Sequence, residues 1–325
     1  MRCIKLILLF MLAAASLSAE KVAFLTYVDA PAQEKAAAIL LQSLRTFGDS
    51  LAKAPFFVAQ IDVNAWQSGP LLKAGASLIA VPAAPDAPPY PFLAKVLALA
   101  AAEAQLQKKF QTVVYMDAET VILNEPSAWV PTAGKSMAIR PVHLVNQVGV
   151  NSDQPLDDYW KGIYGHLGQL PAARPPLRSL VDQQDIHPYY SCVIMAFNPA
   201  LGLMAQWKGA SLALMADKTF QETACQDPRH RIFLHQAVLS ALLNLRLPPE
   251  RIEVPGHLAN YPMPLNDRVP AALRPQSLDV VACLYVDKLW QTRLDWWRDL
   301  PANEKIAAFL SQAQAEYRQD QPRLK

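Results

Sequence analysis

The chain has 325 residues, of which 52% are hydrophobic, so it is long enough to bury a substantial core. Its 30 basic and 28 acidic residues nearly balance, and basic and aromatic residues do not cluster as a phosphate-tracking groove requires. The composition therefore argues against a nucleic-acid-binding protein.

The amino terminus has the pattern of a secretory signal peptide over residues 1–19. Residues 1–5 carry two basic side chains, residues 6–15 are apolar, and residues 16–19 include small side chains suited to cleavage. The apolar segment is shorter than the ~20 residues that span a bilayer. We expect an exported protein, periplasmic or secreted, or in the secretory-pathway lumen of a eukaryote, with no transmembrane segment after cleavage. Residues 20–325 are predicted to form a single domain.

Apolar runs alternate with helically spaced segments as far as about residue 141, which predicts an α/β domain with a mainly parallel sheet. A proline-rich connector at 82–91 cannot be a helix or a central strand. A second loop, at 170–187, is predicted to form a flap over a site. The predicted strands are 22–28, 56–61, 77–81, 112–116 and 137–139, and the predicted helices include 36–44, 91–110 and 306–317.

Two further features have structural interpretations. The segment 156–164 is predicted to be a helix that begins with acids, where Asp157 and Asp158 either cap the helix or, with Trp160, contact an acceptor. The cysteines of the mature chain lack any C-x-x-C or Cys/His spacing, so we expect buried small side chains rather than metal ligands. These three cysteines are Cys192, Cys225 and Cys283.

The most informative segment is 113–124, where Asp117 and Glu119 interrupt an apolar, β-branched run. A carboxylate inside a buried strand is costly unless it is paired or bound to a cation. At the carboxyl edge of a parallel sheet, such oxygens suit Mg²⁺ or Mn²⁺ with a diphosphate. The alternative is a strand end whose acids cap the following turn.

This segment resembles a known family. Lys95 to Leu99, followed by Tyr115 to Glu119 and then Asn124-Glu125-Pro126, is similar to the core of the nucleotide-sugar glycosyltransferases of GT-A fold, especially family 8, the glycogenin and bacterial galactosyltransferase group. Further segments resemble that family in the expected order, so the likeness spans most of residues 21–290. These segments are 21–27, 188–198, 235–240, 252–261 and 283–290.

The resemblance implies a reaction and a site. Sugar would be transferred from a nucleoside diphosphate sugar to an acceptor, with Mn²⁺ or Mg²⁺ neutralising the diphosphate. Asp182, just before the 188–198 strand, is expected to face the same cleft. The implied roles are Asp117 and Glu119 as metal ligands, Thr26 and Tyr27 beside the base, Lys95 and Lys288 on phosphate oxygens, and Gln236 and Ser191 at the donor or acceptor sugar. Asp182 joins Gln236 and Ser191 as a catalytic candidate because of its position in the chain.

The chain also departs from the family pattern at several of these positions. Because the changes are several, a non-catalytic GT-A-like nucleotide- or carbohydrate-binding protein, a pseudoenzyme, is the alternative to a transferase. A metal-dependent hydrolase using Asp117 is a weaker option, since no His-rich ligand set supports it. The departures are Glu119 for Asp, Ser191 for Asn, Val193 for Gly, His235 for Asp and Cys283 for the metal-binding His, for which Asp287 or His257 would be replacements.

Two geometric expectations follow, the first from the alternation of strands and helices and the second from the resemblance. Asp117 should lie at the carboxyl end of an inner strand, near Tyr27. Asp117, Glu119, Gln236 and Cys283 should converge on one cleft.

Overall fold

The computed structural model describes residues 21–30, 33–61, 68–82, 84, 87–145 and 148–319. The predicted signal peptide therefore lies outside the described residues. Within these ranges, none of the helices combines the length and the apolar character needed to cross a bilayer.

The centre of the domain is a seven-stranded sheet with the strand order β10-β6-β9-β4-β1-β2-β3. All pairings in this sheet are parallel except those of β9, which runs antiparallel to β4 and β6. A second sheet has the order β11-β12-β5, and β7 pairs with β8. The strands are β1 Val22–Val28, β2 Phe56–Ile61, β3 Ser77–Val81, β4 Thr112–Met116, β5 Thr120–Ile122, β6 Met137–Pro141, β7 Leu177–Arg178, β8 Asp185–Ile186, β9 Tyr190–Phe197, β10 Ile252–Glu253, β11 Tyr261–Pro262 and β12 Cys283–Tyr285.

Helices cover both faces of this sheet. They are α1 Glu34–Phe47, α2 Gly69–Lys73, α3 Leu93–Leu106, α4 Asp158–His166, α5 Leu203–Ala216, α6 Lys218–Ala224, α7 Pro228–Ile232, α8 Leu234–Arg246, α9 Leu289–Thr292 and α10 Glu304–Arg318. The fold is thus α/β with a mainly parallel central sheet, as the alternation of apolar patterns predicts.

The core has two parts because side chains alternate across the sheet. All seven residues of β1 are buried, as expected for a strand covered on both faces. Phe24 packs into the cluster that includes α1, α10 and the small sheet, whereas Leu25 packs into the cluster that includes α3, α5 and α8. The continuous apolar run at residues 22–28 thus predicts this central strand correctly.

The proline-rich connector and the Asp157 cap match the sequence pattern, whereas the segment 170–187 contributes no residue to the lining of the cleft described below. In the proline-rich connector, the residues that are described form neither helix nor strand, and the segment 170–187 contains the short β7–β8 pair. Asp157 caps α4, since its Oδ1 accepts a hydrogen bond from the Trp160 backbone N–H at 2.9 Å. This confirms the capping interpretation of that acid. Cys192, Cys225 and Cys283 are all free and buried.

Candidate functional site

The site begins where β4 ends, at Asp117. Strand β4 lies between β1 and β9, and Asp117 follows it directly, so this residue lies at the carboxyl end of an inner strand as expected. Its backbone N–H donates to the Val193 carbonyl on β9 at 2.8 Å. That bond fixes the Asp117 backbone at the sheet edge where open α/β folds bind ligands.

A buried cation already accompanies this carboxylate. The Lys95 ammonium, carried by α3, lies 2.8 Å from Asp117 Oδ1 and 2.9 Å from Oδ2, and the Tyr115 hydroxyl donates to the same carboxylate. Lys95 is 2% exposed and Asp117 is 8% exposed. Burial, the largest single cause, lowers the pKa of Lys95, but the charge and hydrogen bond of Asp117 together with Cys192 and Tyr27 outweigh it, and the net pKa is raised. Lys95 therefore remains an ammonium that balances the Asp117 charge.

Around this pair lies a cleft of about 510 Å³. Its wall combines the amino end of α3, the carboxyl end of β4, the amino-terminal half of β9, the first turn of α8, and the end of β12 with the segment after it. The lining side chains include Phe92, Lys95, Asp117, His143, Ser191, Cys192, Val193, His235, Gln236, Tyr285, Asp287 and Lys288. Five of the residues assigned from the resemblance thus share one cleft: Lys95, Asp117, Ser191, Gln236 and Lys288.

A polar stripe on α8 holds β9 in this position. Gln236 Oε1 accepts from the Cys192 N–H at 3.1 Å, Ser240 Oγ accepts from the Tyr190 N–H at 2.9 Å, and Asn244 Nδ2 donates to the Pro188 carbonyl at 2.8 Å. The helix residues are spaced by four and their partners by two, so each turn of α8 meets every second residue of the segment leading into β9. Gln236 also donates to the Tyr189 hydroxyl at 2.6 Å. Both ends of its amide are therefore fixed.

Other predicted site residues lie elsewhere. Asp182 is outside the cleft lining, which corrects the expectation that it faces the cleft: its Oδ2 accepts from the Val145 N–H at 2.6 Å, and it lines a separate cavity with Asp157. Thr26 is fully buried and is not part of the cleft lining. Tyr27 is 7% exposed and stacks against Tyr115 with centroids 6.5 Å apart, which places it behind the Asp117 carboxylate.

Cys283 does not reach the cleft either. It has no exposed surface, pairs with Ile122 across β12 and β5, and belongs to the core cluster. The expectation that Cys283 converges with Asp117 is corrected by this burial. From the same segment it is Tyr285, Asp287 and Lys288 that line the cleft.

Glu119 lies two residues beyond Asp117 but is not part of the cleft lining. It is partly buried, and burial, followed by the like charge of Asp117, raises its pKa to about 7. Asp287 adds a smaller effect in the same direction, whereas Lys95 opposes it. Glu119 is therefore shared between its protonated and ionised forms at neutral pH.

The arrangement and charge of Asp117 and Glu119 decide whether the protein alone can hold a divalent cation here. In the described part of the chain, no group of three or more His, Cys, Asp or Glu side chains is arranged to hold a metal ion. Asp117 is neutralised by Lys95, and Glu119 binds a proton near pH 7. The residues present do not fit a site built by the protein alone for Mn²⁺ or Mg²⁺.

The sequence interpretation missed His143, which lines the cleft and is 6% exposed. Neither ring nitrogen has a hydrogen-bond partner among the described residues. Burial, with a contribution from Arg140, lowers the His143 pKa to about 3, so the imidazole is neutral and carries one donor and one acceptor. It follows β6 in an irregular segment, and no motif spacing marks it.

A thiolate mechanism does not fit the same cleft. Burial raises the pKa of Cys192 to about 11, so its thiol remains protonated at neutral pH. The pKa of the neighbouring His235 is lowered by burial, and its ring packs on Phe92 with centroids 4.7 Å apart. Neither side chain is prepared as one half of a Cys–His nucleophile pair.

A family model described as the Rhodobacterales glycosyltransferase domain matches residues 24–244, which is more than half of the chain. The chain belongs to this glycosyltransferase family. The matched range includes most of β1, the Lys95–Asp117 pair, β9 and almost all of α8. Sugar transfer is thus the activity of this glycosyltransferase domain, with the acceptor unspecified. No curated protein matches the chain at the sequence level.

Solved structures resemble the glycosyltransferase domain in fold. The galactosyltransferase LgtC, described in complex with donor and acceptor sugar analogues, is 12% identical over 90% of this chain and 95% of its own, with a TM-score of 0.50. The apo bifunctional glycosyltransferase WbbM is 14% identical over 86% of this chain and 49% of its own (TM-score 0.46). Mouse xyloside xylosyltransferase 1, also apo, is 12% identical over 82% of this chain and 96% of its own (TM-score 0.42). The likeness to LgtC confirms the GT-A-like fold.

Proposed function

We propose that the protein transfers a sugar from a nucleoside diphosphate sugar to an acceptor hydroxyl in the cleft beside Asp117. The observation that carries this proposal is the position of the cleft. It lies at the carboxyl edge of the central sheet, within a domain of a glycosyltransferase family, and it is lined by Lys95, Asp117, Ser191, Gln236 and Lys288.

The cleft side chains divide into charged and neutral groups. Lys288 is exposed at the cleft and provides an ammonium for the diphosphate of the donor. Ser191 and the neutral imidazole of His143 provide donors and acceptors for sugar hydroxyls. The Gln236 side chain accepts a hydrogen bond from the Cys192 N–H, and this bond fixes the strand that carries Ser191. Tyr27, which keeps some exposed surface, remains the candidate for the side of the site that holds the base, whereas the fully buried Thr26 does not.

Lys95 has a different role from the one implied by the resemblance. Its ammonium is buried against Asp117, so it sets the charge of the carboxylate rather than contacting phosphate directly. In the donor complex, Asp117 paired with Lys95 accepts hydrogen bonds from sugar hydroxyls without adding a net negative charge beside the diphosphate.

The resemblance implies Mn²⁺ or Mg²⁺, and a cation bound with the donor would neutralise the diphosphate. Because the described residues do not assemble a metal site, we propose that any such ion enters with the nucleotide. Water and phosphate oxygens would then supply most of its ligands. We also propose export of the mature chain through the amino-terminal signal.

A non-catalytic nucleotide- or carbohydrate-binding protein is the second candidate. The pairing of Asp117 with Lys95 favours this candidate. The resemblance assigns Asp117 to metal binding, and its charge is already balanced by the ammonium. The two candidates differ in turnover rather than in binding.

The first test is a thermal-shift series on the mature chain with UDP, GDP and their hexose conjugates, each with and without Mn²⁺. Nucleotide at a hundred times its dissociation constant should stabilise the protein by about 2.7 kcal/mol, and Mn²⁺ alone should change the melting temperature little. Asp117→Asn should reduce the stabilisation by the hexose conjugates, whereas Asp153→Asn, at an exposed position, should leave it intact.

Release of nucleoside diphosphate from the stabilising donor then separates enzyme from binder. A transferase will release it faster than the uncatalysed rate in the presence of a sugar acceptor, and Asp117→Asn will slow the release. Binding without release supports the non-catalytic candidate. If no nucleotide or nucleotide sugar stabilises the protein, the transferase and the nucleotide-binding candidate are both wrong.

A further inference from the structure

A second pocket, of about 450 Å³, lies at the other end of α8 and shares no lining residue with the cleft. We call it the Asn244 pocket; Tyr164, Leu170, Arg174, Pro176, Pro188 and Asn244 are among its lining residues. Asn244 lies eight residues after Gln236, which is about 12 Å along the helix axis. A ligand in this pocket would therefore not occupy the cleft.

Two buried polar atoms at this pocket have no partner within the described chain. Asn244 is 5% exposed, and its Nδ2 donates to the Pro188 carbonyl and to the Tyr164 hydroxyl, but its Oδ1 accepts nothing. Arg174 Nη2 donates to the carbonyls of Asn244 and Leu247, while its Nη1 has no acceptor. An unsatisfied buried polar atom costs about 1–3 kcal/mol. The pocket thus has one acceptor and one donor left over.

The charge at the pocket indicates what kind of group would satisfy them. The Arg174 guanidinium binds carbonyls at the carboxyl end of α8, where the helix dipole is negative, so much of its charge is already offset. A neutral hydroxyl both accepts and donates, and a single one would accept from Arg174 Nη1 and donate to Asn244 Oδ1.

Most of the remaining wall is apolar, beside the polar side chains of Ser152 and His187. Proline rings at 171, 176 and 188, together with the Tyr164 ring, present carbon surfaces, and Leu170 is 66% exposed at the same place. Carbon faces beside a few fixed polar atoms are the usual composition of a small-molecule site, and 450 Å³ is within the size range of such sites. A sugar ring offers that combination of C–H faces and hydroxyls.

We propose that the Asn244 pocket binds a neutral saccharide, as a carbohydrate subsite separate from the nucleotide-binding cleft. One hydroxyl of the sugar bridges Arg174 and Asn244, and the C–H face of the ring packs on the proline and leucine wall. This site does not depend on the chemistry proposed for the cleft.

Saturation-transfer NMR of lactose with the mature chain tests the proposal, with D-glucuronate as the anionic comparison. Ala173→Trp fills the pocket without removing any of its hydrogen bonds, and Ala272→Trp places the same side chain at another exposed alanine. Lactose affinity should fall by about tenfold or more in Ala173→Trp and remain unchanged in Ala272→Trp. Leu170→Ser, which shortens the apolar wall, should weaken lactose binding as well.

The nucleotide-induced thermal shift is measured on the same variants and should be unaffected, which separates this site from the cleft. No saturation transfer to lactose, or equal binding by wild type, Ala173→Trp and Leu170→Ser, would overturn the subsite. Preference for glucuronate over lactose would overturn the assignment to neutral sugars.

Discussion

The Lys95 ammonium lies 2.8 Å from the Asp117 carboxylate, and the two charges are almost completely withdrawn from solvent. The pair forms because α3 packs on the face of the sheet from which Asp117 emerges. The Asp117 carboxylate is therefore already ion-paired in the absence of a ligand. This pairing reduces its availability to a metal ion and makes both residues important for stability.

Removing one partner of this pair should be strongly destabilising. Lys95→Met leaves Asp117 buried without its counter-charge, and such a loss costs about 3–5 kcal/mol. The double variant Lys95→Met/Asp117→Asn should recover part of that loss, because no uncompensated charge remains. Urea unfolding of the two single variants and the double variant measures the coupling. A Lys95→Met protein as stable as wild type would contradict the buried pair, and Lys218→Met, at an exposed lysine, is the control.

Glu119 should make stability depend on pH. Its pKa is raised to about 7 in the folded state, so between the unfolded value near 4.5 and pH 7 the folded protein binds more protons than the unfolded chain. The free energy of unfolding should therefore fall as pH rises through this window. The difference is on the order of 3 kcal/mol.

The variant Glu119→Gln tests this directly by chemical denaturation. It should be more stable than wild type at pH 8 and close to wild type at pH 4, because only the ionised carboxylate is penalised. Equal stability differences at both pH values would show that Glu119 ionises normally in the folded protein.

The polar stripe on α8 yields a prediction with an internal control. Ser240→Ala removes the acceptor for the Tyr190 N–H, leaves a buried donor unpaired, and should cost about 1–3 kcal/mol. Ser211 is equally buried in a helix, but its hydroxyl has no partner among the described residues, so Ser211→Ala should be neutral or stabilising. Thermal unfolding of both variants compares them, and the reverse order would disprove the assigned role of the stripe.

Cys283→His should not create a metal ligand. The thiol is fully buried in the core, so a larger, polar imidazole there should destabilise the fold by roughly 1–3 kcal/mol. Mn²⁺ affinity in the presence of UDP should stay unchanged when measured by isothermal titration. Cys283→Ser controls for loss of the thiol, and an increase of about tenfold in Mn²⁺ affinity with His would return Cys283 to the cleft.

The sequence by itself determined the strands of the parallel sheet. The predicted bounds of β1, β2, β3 and β4 agree with the structure, and β6 extends its prediction by two residues. These runs are apolar and rich in β-branched residues. Such residues favour the extended conformation, and a strand that is buried on both faces needs apolar side chains at every position. The cap at Asp157 was equally local.

Only the tertiary structure decided which charges and motifs meet. Lys95 and Asp117 are separated by 22 residues, and no local pattern states that an ammonium on α3 will reach a carboxylate at the end of β4. His143 follows β6 without a motif. For Cys283, a short motif was matched, but the pairing of β12 with β5 sends its side chain into the core. Periodicity is set by neighbours in the chain, whereas ion pairing, burial and access to a cleft depend on distances between segments that exist only after packing.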